Sequence, residues 1–368
     1  MKFQCERSIL LNAVATAARA ASMRNALPSM EGLLFNVDNN ITITGYNMEI
    51  GIVVSLHADI QMQGAVIMPN KMLQDILRKM PDDVISFEVN DQNVIDIQCG
   101  TIAFQLPGLP ASDYANLPET ENEKTFTFSQ ATLRHILSHI TYALSDNESR
   151  ILNTGALFDI IGNQLNVVAL DGFRMAIRKT EIEHGGEDFK FIVPGAALRE
   201  LERILLEDEE SILTIELGRR HIQFMMGHAT LFSRLLEGEF HNYQRAIPED
   251  YKYTVTVNAR MLQTAVERVS LVIQEKIRSA VRLTINENTV AMQCKTALGF
   301  SSDVCDSQGD GEGLEIGFNN RYLLDALRTV DDDEVKLCFN GSLNPCVVLP
   351  LEGEVYLNMV LPTRLSND

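Results

Sequence analysis

Apolar residues along this chain alternate between two periods, and the alternation recurs. Residues 64–89 read GAVIMPNKMLQDILRKMPDDVISFEV, residues 188–217 read DFKFIVPGAALRELERILLEDEESILTIEL, and residues 313–339 read GLEIGFNNRYLLDALRTVDDDEVKLCF. Each predicts a short strand, a turn residue, a helix with L-x-x-L or similar spacing, an acidic loop and a further strand. Pro69, Pro194 and Asn319 occupy equivalent places, so the step is 125 residues both times.

A second set precedes the first in each repeat. Residues 3–20, 126–144 and 253–272 each begin with alternating apolar positions and pass into a 3.6-residue period. Ser129 and Asn258 stand where helix N-caps belong. A third set predicts paired strands at 33–46, 156–170 and 281–294, with turns at Asp38-Asn39-Asn40, Ile161-Gly162-Asn163 and Asn286-Glu287-Asn288. The two halves of every repeat are themselves alike. The expectation is an α+β protein of three similar domains, 1–121, 122–250 and 251–368, each a duplicated strand–helix–strands unit. Polar, charged linkers are expected at 119–124 and 249–252.

Six helices on one face of a sheet wall suggest a closed ring. Helices pack about 10 Å apart, so six in a circle leave a hole of roughly 10 Å. Twelve leave roughly 28 Å, enough for a duplex about 20 Å across. Two chains, head to tail, supply twelve.

Charge bears on that expectation. The chain carries a net −19, which by itself argues against nucleic acid. The six helical segments, however, total +6, leaving −25 on all other residues. Basic helices inside an acidic shell attract phosphate into the hole and repel it from outside. Contacts of that kind are blind to sequence and sensitive to salt. The alternative from charge alone is that these helix faces are simply solvated.

Composition narrows the class further. Six cysteines, at 5, 99, 294, 305, 338 and 346, form no C-x-x-C pair and predict buried free thiols. No apolar run reaches membrane-spanning length, and the opening residues lack the apolar core of a signal peptide. A soluble, cytoplasmic protein is expected. His135 and His139 share a helix face at i, i+4, but the sequence between them lacks the Glu of H-E-x-x-H, so neither metal nor cofactor is expected. The acidic runs 82–83, 207–210 and 331–334 follow a helix in every repeat and read as solvated loops. No nucleophile elbow, P-loop or dinucleotide fingerprint is present. An idle-ring scaffold and a hydrolase with a site across domain junctions are the competing readings. The first lacks a use for the basic helices, and the second lacks clustered catalytic residues.

The chain resembles the bacterial DNA polymerase III beta subunit family, the sliding clamps. The phrases that carry the resemblance are 1-MKF-3, 24-RNALP-28, 44-TGYNMEIGI-52, 168-VALDGFRMAI-177, 235-LLEGEFHNYQRAIP-248 and 360-VLPTRL-365, in that order along the whole chain. The resemblance implies a non-catalytic, head-to-tail homodimeric ring, loaded on primed double-stranded DNA by a clamp loader. It would tether the replicative DNA polymerase and other repair and replication proteins through a short peptide. The implied peptide pocket comprises Asn153, Leu170, Gly172, Phe173, Arg174, Met175, His241, Arg245, Ala246, Met359, Leu361, Pro362, Thr363 and Arg364. Leu170, Met175, Met359 and Leu361 would be its apolar walls, and Arg174, Arg245 and Arg364 would bond peptide carbonyls or a carboxylate. Asn153 stands where the family often has Leu and His241 where Pro is common, and the tail 366–368 runs past the family's usual end. Phe104, Leu106, Leu271, Val272 and Ile273 match the ring interface. The DNA-facing candidates are Arg7, Arg24, Lys71, Arg78, Lys79, Arg134, Arg150, Arg199, Arg203, Arg260, Arg268, Arg321 and Arg328. Cutting the chain after Asn358 is expected to abolish polymerase tethering and leave the dimer intact.

Overall fold

The computed structural model describes residues 1–21, 27–118, 121–182, 186–274 and 280–365. The first repeat runs β1 (Lys2–Glu6), α1 (Arg7–Ala17), β2 (Leu33–Val37), β3 (Ile41–Tyr46), β4 (Ile50–Leu56), β5 (Asp59–Met62), β6 (Gly64–Met68), α2 (Asn70–Lys79), β7 (Val84–Val89), β8 (Val94–Cys99), β9 (Ile102–Pro107) and β10 (Leu109–Pro110). The second runs β11 (Lys124–Ser129), α3 (Gln130–Ile140), β12 (Gly155–Ile161), β13 (Gln164–Leu170), β14 (Arg174–Glu181), β15 (Phe189–Pro194), α4 (Gly195–Ile204), β16 (Ile212–Leu217), β17 (His221–Met225) and β18 (Ala229–Arg234). The third runs β19 (Tyr253–Asn258), α5 (Ala259–Val269), β20 (Ala280–Ile285), β21 (Thr289–Thr296), β22 (Gly299–Gly309), β23 (Glu315–Asn319), α6 (Asn320–Arg328), β24 (Glu334–Phe339), β25 (Cys346–Pro350) and β26 (Tyr356–Val360). The repeated strand–helix–strand order is therefore the α+β arrangement read from the hydrophobic pattern.

The helices form where the 3.6-residue stripe and a cap coincide. In α2, Leu73, Ile76 and Leu77 are buried while Lys71, Arg78 and Lys79 stay exposed. Asn258 caps α5 by accepting from the Met261 amide, and Asn319 caps α6 by accepting from the amides of Arg321 and Tyr322. The Thr132 amide donates to Ser129 Oγ at 3.4 Å at the start of α3. The three expected hairpins join β2–β3, β12–β13 and β20–β21 in antiparallel register.

The described residues fold into two compact units, Met1–Arg134 with Ala196–Leu235, and His135–Gly195 with Leu236–Asp368. Both cut through the second repeat, because the sheets run across repeat boundaries. In the first unit, β4 of repeat one pairs with β18 of repeat two, completing a nine-stranded sheet in the order β10-β6-β2-β3-β4-β18-β17-β16-β11. A five-stranded sheet, β5-β1-β7-β8-β9, completes that unit. In the second unit, β14 of repeat two pairs with β26 of repeat three within a twelve-stranded sheet, β15-β12-β13-β14-β26-β25-β24-β19-β22-β21-β20-β23. The same two strand positions make both junctions.

All six cysteines are free and buried. Burial pushes the Cys305 thiol up to about 11, so it is inert at neutral pH. Among the described residues, no helix is long and apolar enough to cross a membrane.

Candidate functional site

The site lies in the second unit and starts from one rung of its sheet. Leu170 of β13 faces Met175 of β14, Met175 faces Met359 of β26, and Met359 faces Val347 of β25. Residues directly opposite across antiparallel strands present their side chains to the same face. All four contribute to one apolar cluster with Leu157, Phe240, Tyr243 and the flanking Leu152. The rung unites residues of four strands up to 189 positions apart, from Leu170 to Met359, and two of its members are methionines, which adapt to varied partners.

The rim above this floor comes from the turn between β13 and β14. Asp171 Oδ1 accepts from the amides of Phe173 and Arg174 at 2.8 and 3.0 Å. Gly172 takes φ +94°, a value that glycine adopts without strain, and a Cβ there would meet Arg150 Nη1 at 2.9 Å. Arg150 therefore lies against this turn. Phe173 is 59 % exposed and stacks on Tyr322 of α6 with centroids 5.9 Å apart.

Arg174 does not reach outward. Its Nε donates to Asp171 Oδ2 at 2.9 Å and its Nη1 to Asp325 Oδ2 at 2.6 Å. The guanidinium sits over the rings of Tyr142 and Tyr322 at 5.2 and 4.6 Å. Burial opposes its charge, but the two carboxylates outweigh that and raise its pKa. It ties the rim turn to α6.

Two further segments flank the rung. Tyr243 is buried in the cluster, and its hydroxyl donates to Asp159 Oδ2 at 2.8 Å. This anchors the turn that carries Arg245 and Ala246, both exposed, with exposed His241 just before it. The C-terminal strap leaves β26 with the Leu361 amide donating to the Phe173 carbonyl at 2.8 Å. Past Pro362, the Thr363 amide donates to the Gly317 carbonyl at 2.8 Å. A Cβ on Gly317 would meet Leu365 Cδ2 at 2.6 Å, so only glycine lets the strap lie this close. Arg364 is exposed, and 366–368 lie outside the described residues.

Asn153 is 1 % exposed, and its Oδ1 has no hydrogen-bond partner among the described residues. A buried acceptor without a partner is costly. Beneath the rim, Asn358 is fully buried and donates to the Ala326 carbonyl and Thr329 Oγ1, while Tyr142 donates to Asn358 Oδ1. Arg178 donates to the Thr329 carbonyl and to Asp331 Oδ2. Burial lowers its pKa. Asp331 and Asp332 stay exposed, as expected of an acidic loop, yet both are hydrogen-bonded to the fold: Asp331 accepts from Arg178, and Asp332 accepts from the Tyr356 hydroxyl at 2.7 Å.

Chain comparison follows the same architecture. Family models described as the N-terminal, central and C-terminal domains of the DNA polymerase III beta subunit match residues 1–118, 127–242 and 244–364. The chain belongs to the DNA polymerase III beta subunit family. A protein named beta sliding clamp from Staphylococcus epidermidis is 29 % identical over 99 % of both chains. Among solved structures, a DNA polymerase III beta subunit from Eubacterium rectale is 29 % identical with a TM-score of 0.95, covering 99 % of this chain and all of that one. The sliding clamp from Pseudomonas aeruginosa bound to griselimycin is 27 % identical with a TM-score of 0.94, covering 99 % and 100 %. The beta subunits are non-catalytic processivity factors of DNA replication, and this chain is one of them.

The family's other candidate surfaces distribute as follows. Phe104 is 41 % exposed on β9, the edge of the five-stranded sheet, whereas Leu106 is buried. Leu271 is 83 % exposed, and Val272 and Ile273 are half-buried. Among the basic candidates, Arg7, Arg78, Arg134, Arg203, Arg268 and Arg328 each face a carboxylate within 4 Å. Arg321 reaches Asp325 at 4.0 Å. Lys71, Lys79 and Arg260 are exposed, with no ion pair among the described residues. Arg199 lies on α4, and Arg24 falls outside the described residues.

Proposed function

We propose that this beta subunit is a head-to-tail homodimeric ring, with domains 1–121, 122–250 and 251–368, that encircles duplex DNA without reading its sequence. Its partners are primed double-stranded DNA, a clamp loader, the replicative polymerase and other repair and replication proteins, and it works in the cytoplasm. It tethers the proteins through the Leu170–Met175–Met359 rung, with Phe173, His241, Arg245 and Leu361 at the rim. Asn153 Oδ1, buried and unpartnered among the described residues, accepts a peptide N–H once the bound peptide displaces the side chains that cover it.

One observation carries the ring. The pairings β4–β18 and β14–β26 join equivalent strands of successive repeats. The next pair in that series is β22 with β9. Residues 299–306 of β22 pair on one side only, with β21, and β9 pairs only with β8, among the described residues. A second copy supplies the missing neighbour for each, and exposed Phe104, Leu271, Phe300 and Val304 cover the new junction. Three junctions per chain then continue the sheet wall around two chains. The exposed faces of the six helices, with their +6, become the surface offered to phosphate.

Sedimentation with processive primer extension by the cognate polymerase tests this reading. A dimer that confers processivity supports it; a monomer that does so overturns the ring.

A further inference from the structure

The His pair on α3 gains a third donor from a distant part of the chain. His135 Nε2 stands 3.2 and 3.1 Å from the two Asp331 oxygens, and His139 Nε2 stands 3.1 Å from Asp331 Oδ1. The imidazole centroids are 4.1 Å apart. The three donor atoms lie within 4.8 Å of one another. With metal–ligand bonds of about 2.1 Å, neighbouring ligand atoms of a tetrahedral ion are about 3.4 Å apart.

Proton accounting points to a cation. His139 Nδ1 lies 2.6 Å from the His135 carbonyl, and its Nε2 faces the Asp331 carboxylate. Ser138 Oγ also stands 2.9 Å from Nδ1 and donates its own proton to the same carbonyl at 2.9 Å, so in that arrangement all three neighbours are acceptors, and a neutral imidazole has one N–H. If Nδ1–H donates to the carbonyl, the Nε2 lone pair confronts an oxygen lone pair. A metal ion between them satisfies both. A ring N–H bonded to a backbone carbonyl is also the usual outer support of a metal-binding histidine.

The carboxylate is supported as well. Asp331 Oδ2 accepts from Arg178 Nη1 at 3.1 Å, leaving Oδ1 for the ion. Arg178 is the one cation facing this group among the described residues. Asp332, Asp333 and Glu334 follow Asp331 in the chain and oppose its field. His135 and Asp331 are half-open, with side-chain exposures of 49 % and 46 %, so water completes the coordination.

We propose that His135, His139 and Asp331 form a binding site for a zinc-class divalent cation. Two imidazoles and one carboxylate suit zinc, cobalt or nickel better than magnesium or calcium, which prefer all-oxygen shells. The ion pins α3 to the turn after α6. Through Tyr142, just beyond α3, it stiffens the layer under the candidate peptide rim.

Calorimetric titration of metal-free full-length protein with Zn2+ tests the site, using the wild type, His135→Ala and Asp331→Asn. His135 is exposed enough that its alanine variant keeps the fold, which circular dichroism checks. The expected result is one zinc ion per chain, with affinity reduced at least about 10-fold in each variant. Zinc is also expected to raise the melting temperature of the wild type but not of His135→Ala. No zinc uptake by the wild type, or equal uptake by the wild type and His135→Ala, would overturn the proposal.

Discussion

Arg174 and Asp325 are 151 positions apart and meet at 2.6 Å, joining the rim of the candidate peptide site to α6. The guanidinium is closed in by Asp171, Tyr142 and Tyr322 and is only 9 % exposed. Removing it takes the near cation from partly buried Asp171 and leaves Asp325 only its longer contacts with Arg321 and Arg328, at 4.0 and 3.7 Å. Arg174→Met is expected to destabilise the fold by about 3 kcal/mol, as loss of one partner of a buried pair does. Arg174→Lys recovers little, since an ammonium cannot serve both carboxylates in one plane. Urea denaturation monitored by circular dichroism measures both.

The strap gives a sharper truncation than the sequence suggested. Cutting after Asn358 removes Met359 and Val360, which lie inside β26 between β14 and β25. Both are buried, so that truncation damages the sheet and cannot report on tethering alone. Cutting after Val360 removes only the strap, with its Leu361 and Thr363 hydrogen bonds. The shorter deletion is expected to keep the dimer and lose processive synthesis, while the longer one lowers stability. Size-exclusion chromatography and primer extension on the two truncations separate these outcomes.

Asn153 offers a test of peptide preference. Its buried Oδ1 lacks a partner among the described residues. Asn153→Leu removes that orphan at similar volume, so stability is expected to hold or rise by about 1 kcal/mol. Polymerase affinity is expected to fall several-fold, because the peptide loses an acceptor. Surface plasmon resonance with immobilised cognate polymerase reads the affinity. Unchanged binding would remove Asn153 from the site.

Much of this organisation was legible in the sequence, and the reasons are local. The helix stripes, the Asn258 cap and the three hairpin turns are set within a few residues of one another, so pattern alone located them. The rung was not legible as a surface, because Leu170, Met175, Met359 and Val347 become neighbours only when β14 pairs with β26. The resemblance named most of those residues without showing how they meet. The partners of Arg174 were out of reach for the same reason, since only the fold brings Asp325 and two tyrosines around it. His135 and His139 looked incomplete because their third donor, Asp331, sits in a different repeat. Leu106 matched the interface by position and shares a face of β9 with exposed Phe104, yet it is itself buried within the subunit.

Phe104 provides the test of the interface. It is exposed on an edge strand, so Phe104→Arg leaves the subunit folded. In a dimer the new guanidinium would be buried without a partner. The expected outcome is a monomer with an unchanged circular dichroism spectrum, measured by analytical ultracentrifugation. A persisting dimer would place the interface elsewhere.

The most direct test of the whole account is topological. The protein is loaded on a nicked circular plasmid by its loader and ATP, and its retention is followed by gel filtration before and after one restriction cut. An encircling ring stays on the circle at high salt and runs off the linear molecule, whatever the sequence. Retention that does not change on linearisation, or that depends on a particular sequence, would contradict it.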